Sequence, residues 1–170
     1  MVVARAPQTP LQTAGTRYSV NYTGRLVDTL IFQGVDFTGK ASLPVQLLFG
    51  DSERIISGAQ KMIQRWVIAF LTKRGSVQAN PNFGTEFMRN LEQGYIVTDV
   101  DVQSEFLNAV VLTAESVAAG LANQTVPTDE QLESSELLSF DLQPGSLSLS
   151  VRITSVAGEG ATVLLPLPLE

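Results

Sequence analysis

Apolar positions along this chain fall into helical, alternating and unpatterned stretches. In the stretch 51–81, DSERIISGAQKMIQRWVIAFLTKRGSVQANP, Ile55, Ala59, Met62, Trp66 and Phe70 recur at helical spacing, and Ile56, Ile63, Val67 and Leu71 form the adjoining row. A stripe that wide predicts a long helix set into a core, with Trp66 as a core residue. Asp51 or Ser52 is placed to cap its first turn, Lys73 and Arg74 to meet the negative end of its dipole, and Gly75 to end it. A second long helix is predicted from Thr98 to Leu121, where Thr98 and Asp101 match the capping-box spacing. Phe106, Val110, Ala114, Val117 and Leu121 make one apolar row on it, and Leu107, Val111 and Ala118 make the next. The expected packing partner of both rows is the first helix. Between the two, TEFMRNLEQ (85–93) predicts a short helix stopped by Gly94.

The C-terminal third changes period. Residues 122–134 read as a polar connection with one helical turn after Thr128. Glu136 to Leu142 reads as a strand, followed by a turn at Pro144–Gly145 and then by SLSLSVRIT, which alternates without a fault. Leu147, Leu149, Val151 and Ile153 point one way; Ser146, Ser148, Ser150, Arg152 and Thr154 point the other. A second turn, Ala157–Gly160, leads into TVLLPLPL. Pro166 and Pro168 cannot donate to a ladder, which ends this strand or places it at a sheet edge.

The N-terminal part lacks such order. Residues 1–16 predict a flexible arm. From Arg17 to Gly50, the β-prone pieces RYSVNYT, LVDTLIF and ASLPVQLLF are punctuated by Gly24, Gly34, Gly39 and Pro44. The expected class is α+β: two long amphipathic helices packed on a small antiparallel C-terminal β-sheet, with a β-rich N-terminal extension and the arm. The division falls between an extension at 1–50 and a domain at 51–170.

Composition narrows the function more than the fold. Only 16% of the 170 residues are charged, against roughly a quarter in average soluble proteins, which points to surface committed to protein partners. A net charge of −6 and a pI near 4.6 argue against nucleic acid, whose phosphates need a basic face. Lys61, Gln64 and Arg65 interrupt the best membrane-span candidate, and MVVARAPQTP lacks the apolar core of a signal peptide. There is no histidine and no cysteine. That removes Ser–His and Cys–His nucleophiles, structural zinc and the commonest general base, so no cofactor or metal is expected. The cysteine count also fits a reducing compartment. Glu86 with Glu92, or Asp99 with Asp101, is the remaining candidate for a glycosidase-like carboxylate pair. Glu86, Asp99 and Asp101 are more simply read as acids near helix N-termini.

The order of elements, with LTKRGSVQANPNFGTEF after the first helix, resembles the phage baseplate wedge and sheath-initiator family of contractile tails, tailocins and type VI secretion baseplates. That family was long labelled lysozyme-like although its role is structural. The resemblance spans about Ile55 to Leu167 and rests on Thr72 to Gly75 followed by Pro81 and the Phe83–Gly84 pair. The family's acidic–proline–arginine motif before the C-terminal sheet has LLSFDLQPG in its place here, with Pro144 but no adjacent Glu and Arg.

The resemblance implies a non-enzymatic virion component, assembled in the host cytoplasm, with multiple copies, on the order of six, around the tail axis. Its partners would be other wedge and hub proteins, the tail sheath protein and tail tube proteins. Sheath assembly would start by β-augmentation of the C-terminal hairpin. Candidate partner-binding residues are Lys73, Arg74, Gly75, Pro81, Phe83 and Gly84 at the corner, and Leu147, Leu149, Val151, Arg152, Ile153, Val163 and Leu165 in the hairpin. The rival readings are a muralytic enzyme and a tail connector or terminator ring subunit.

Overall fold

A computed structural model describes residues 55–169, together with the backbone of four two-residue strands nearer the N-terminus. Those strands are β1 (Asp28–Thr29), β2 (Phe32–Gln33), β3 (Val35–Asp36) and β4 (Gln46–Leu47). They are followed by β5 (Ile55–Ile56), α1 (Ala59–Leu71), α2 (Phe87–Glu92), α3 (Asp99–Leu121), a 3-10 turn (Thr128–Glu130), β6 (Leu132–Gln143), β7 (Ser146–Ser155) and β8 (Gly160–Pro168). The class is α+β, helices plus a small antiparallel sheet. The arm at 1–16 and the piece RYSVNYT lie outside the described residues, as do Asp51 and Ser52.

The first helix starts later than its apolar stripe predicts. Ile55 and Ile56 pair with Thr29 and Asp28 as strand. Gly58 then occupies the N-cap with φ 66°, so the helix begins at Ala59. No side chain of its own caps it. Glu130, buried in the distant 3-10 turn, instead accepts the Gly58 N–H at 3.1 Å and pairs with Lys61 at 2.9 Å. Both side chains are buried. Thr72 ends the helix, so Lys73 and Arg74 lie just beyond its last turn.

The stripe itself is interior, as its width demands: Ala59, Met62, Ile63, Trp66, Val67 and Phe70 are all buried. Trp66 stacks on Phe70 with centroids 4.8 Å apart, and Phe70 meets Phe87 at 5.0 Å and Phe106 at 5.7 Å. This aromatic chain joins all three helices. It covers the apolar face of the sheet, built from Leu147, Leu149, Val151 and Ile153 of β7 and Ala161, Val163, Leu165 and Leu167 of β8.

Helix α3 opens with the capping box its sequence predicts. The Thr98 hydroxyl accepts the Asp101 N–H at 3.2 Å, and the Asp101 carboxylate accepts the Thr98 N–H at 2.8 Å. Only one of its apolar sides faces the domain. Val102, Phe106, Ala109, Thr113, Ser116 and Val117 are buried, while Leu107, Val111 and Ala118, expected against the first helix, are exposed.

The cap is pH-sensitive with a definite sign. Bonds from the Thr98 hydroxyl first, then from the N–H groups of Thr98 and Val97, hold the Asp101 carboxyl below its ordinary value. A depressed carboxylate stabilises the fold above its unfolded pKa, and that contribution disappears as pH falls through the lower folded value. The urea midpoint of Asp101→Asn should therefore lie below wild type at neutral pH, and the gap should close below about pH 4. A gap that widened on acidification would contradict this assignment.

The sheet order is β3-β8-β7-β6. Strand β7 is central, paired along its length with β6 and β8. Strand β8 meets β3 only at Val163 and Thr162. Its prolines therefore sit where no further strand lies outside it among the described residues, as proline requires. Strand β6 is longer than its sequence suggests, beginning at Leu132 instead of Glu136. Register shifts between Leu132 and Ser134 and between Leu137 and Ser139 break its alternation, which is why the pattern is hard to see.

Candidate interaction surfaces

The corner after α1 is a tightly tied loop. Thr85 is buried; its N–H donates to the Thr72 carbonyl at 2.8 Å and its hydroxyl to the Phe70 carbonyl at 2.8 Å. The Arg74 N–H returns a bond to the Thr85 carbonyl at 2.9 Å. Gly84 donates its N–H to the Ser116 hydroxyl of α3 at 3.2 Å. Of the corner candidates, Gly84 is therefore buried and structural, with φ 96°, and Phe83 is half-buried. Gly75 and Pro81 are exposed. Lys73 pairs with Glu92 at 2.5 Å, and the Arg74 carbonyl accepts from Arg89 at 2.7 Å. The Arg74 guanidinium reaches Asn82 at 3.4 Å. The contribution of Thr85 and Ser116 has no local signature, because each is a single hydroxyl residue whose partner is set by tertiary approach.

Beside the corner, Arg65, Ile68, Phe83, Ser116, Val117, Gly120 and Leu121 line a cleft of about 170 Å³. Arg65 Nη1 is shielded from solvent without a hydrogen-bond partner. Three of the four carboxylates considered for chemistry are engaged otherwise. Glu86 holds Arg89, Glu92 holds Lys73, and Asp101 caps α3. No cluster of three metal-ligating side chains occurs among the described residues, and no described helix is long and apolar enough to cross a membrane.

The hairpin candidates divide sharply. Leu147, Leu149, Val151, Ile153, Val163 and Leu165 are all at most 1% exposed and face the helices. Strand β7 has both edges occupied, so its backbone has no free groups for an added strand. Of these candidates only Arg152 is exposed. Among the described residues the sheet has free edges along β6, twelve residues long and largely exposed, and along β8 beyond Val163, where Pro166 and Pro168 blunt it. Alternation reports which face a side chain takes but not where its strand lies in the sheet. That is why the most regular strand drew attention and the irregular one carries the edge. Comparison with protein-family models, curated proteins and solved structures finds no match.

Proposed function

We propose that this chain is a structural, non-enzymatic component of a phage tail baseplate. It links wedge and hub proteins and starts sheath assembly by accepting an extended arm of a sheath subunit on the C-terminal sheet. The observation that supports this reading is the long, unpaired edge of β6. Proteins normally blunt such an edge; one left open offers a row of backbone donors and acceptors, with alternate side chains to set register. The site of augmentation is thus moved from the β7–β8 hairpin to β6. The N-terminal extension and arm would hold neighbouring baseplate proteins.

Leu138 provides the test, because it falls in a register shift and has no paired residue on β7. A proline there puts a rigid ring on the edge strand, a known way of blunting an edge, and leaves every paired residue of β6 unchanged. Leu138→Pro should keep the helical circular dichroism of the wild type and bind a tail sheath subunit encoded beside this chain at least about tenfold more weakly. Unchanged binding would remove β6 as the docking edge. Failure of the wild type to bind that subunit would sink the baseplate reading. Light scattering separates the ring alternative: a wedge component stays monomeric until its partners are added, whereas a connector or terminator closes a homo-ring alone.

A further inference from the structure

The outer side of α3 has the spacing of a coiled-coil seam. Val100, Ser104, Leu107, Val111, Ala114 and Ala118 alternate steps of four and three residues along the helix, which puts them on one narrow stripe. That stripe lies on the side away from Val102, Phe106, Ala109 and Val117, which face the core. Val100 is 72% exposed, Leu107 65% and Val111 58%. Tyr95 and Val97, also exposed, extend the apolar surface beyond the N-terminal end of the helix. A helix covered on one side only normally presents polar residues to water on the other; this one presents a second seam.

Charge selects the occupant. Helix α3 carries Asp99, Asp101, Glu105 and Glu115, and no Lys or Arg occurs anywhere between Arg89 and Arg152. Asp101 and Glu115 directly follow the seam positions Val100 and Ala114, and a second copy of the same face would bring them no base to pair with, whereas coiled-coil pairing matches opposite charges there. We infer that the outer face of α3 docks an amphipathic helix of another protein, with branched aliphatic residues at alternating three- and four-residue spacing and Lys or Arg beside them. Small residues at Ala114 and Ala118 let that helix approach most closely at the C-terminal half of α3, and Leu107 and Val111 anchor the other half. This inference does not depend on the baseplate reading, since it uses neither the corner nor the sheet edge.

The probe is a synthetic coiled-coil peptide of about four heptads, with Ile and Leu in the seam and Lys at the flanking positions. A matched peptide carries Glu in place of Lys, and a third keeps Lys but has Ser in the seam. Fluorescence anisotropy with the full chain should show the Lys peptide binding at least about tenfold more tightly than either control. The double variant Leu107→Gln/Val111→Gln alters exposed positions only, so its thermal unfolding should match wild type while its affinity for the Lys peptide falls at least about tenfold. Equal binding of the Lys and Glu peptides, or of the Lys and Ser-seam peptides, would overturn the inference, as would an unaffected double variant. Two further results assign the face elsewhere and also overturn it. One is a wild-type dimer in sedimentation that the double variant abolishes. The other is a photo-crosslink from position 107 to the basic, acid-free segment 1–27 of the same chain.

Discussion

Gly84→Ala should cost about 3–4 kcal/mol of folding stability, enough to threaten a domain of ordinary marginal stability. Two effects add. The residue sits at φ 96°, a conformation that only glycine adopts without strain. A Cβ there would lie 2.3 Å from the Thr72 carbonyl oxygen and 2.9 Å from its carbon. That oxygen belongs to the backbone at the end of α1 and accepts the Thr85 N–H, so it cannot move aside without breaking the tie that closes the corner. Gly75→Ala is the control. Its φ is 84° but a Cβ would meet nothing within 4 Å, so only the conformational cost of about 1–2 kcal/mol remains. Urea midpoints of the two variants, with unchanged slopes, measure the difference. If Gly84→Ala came within experimental error of Gly75→Ala, the close approach of Gly84 to the end of α1 would be wrong.

The contrast between these two glycines shows what the sequence carries and what it does not. Both stand in LTKRGSVQANPNFG, and local reasoning treats both as turn residues. Only tertiary approach tells them apart. The same holds on a larger scale. The inner face of α1, the cap of α3 and the alternation of β7 are legible because each follows from a period or a spacing within a few residues. The start of α1 was obscured because Ile55 and Ile56 continue the helical rows, although Gly58 and a distant strand pair stop the helix short of them. The edge position of β6 was hidden by two register shifts and by the fact that strand order is a long-range property. Leu107 and Val111 looked like core because α3 is apolar on opposite sides, and periodicity does not say which side a domain will cover. The candidate surfaces therefore lie one element away from where pattern strength placed them.

The lock at the start of α1 is the least legible feature, and breaking it should rank with Gly84→Ala in effect. Lys61 reads as an ordinary polar interruption of an apolar helix, and Glu130 as one acid in a polar connection. In the fold their charged ends meet at 2.9 Å with both side chains almost wholly buried, and Glu130 also serves as the acceptor that α1 lacks at its own N-cap. Removing one partner of a buried pair leaves the other charge desolvated against reduced compensation, at a cost of about 3–5 kcal/mol. Lys61→Met should show that loss in urea unfolding, and Glu130→Gln should approach it, because the amide can still accept the Gly58 N–H but brings no negative charge to Lys61. The double variant Lys61→Met/Glu130→Leu removes both charges and fills the space with apolar groups, which alone is often close to neutral. Here it also orphans the Gly58 N–H, a penalty of about 1–3 kcal/mol. The double variant should therefore be more stable than the sum of the single losses predicts, yet still less stable than wild type. A double variant as stable as wild type would mean that Glu130 acts only as counter-charge; strict additivity would mean that the two side chains do not meet.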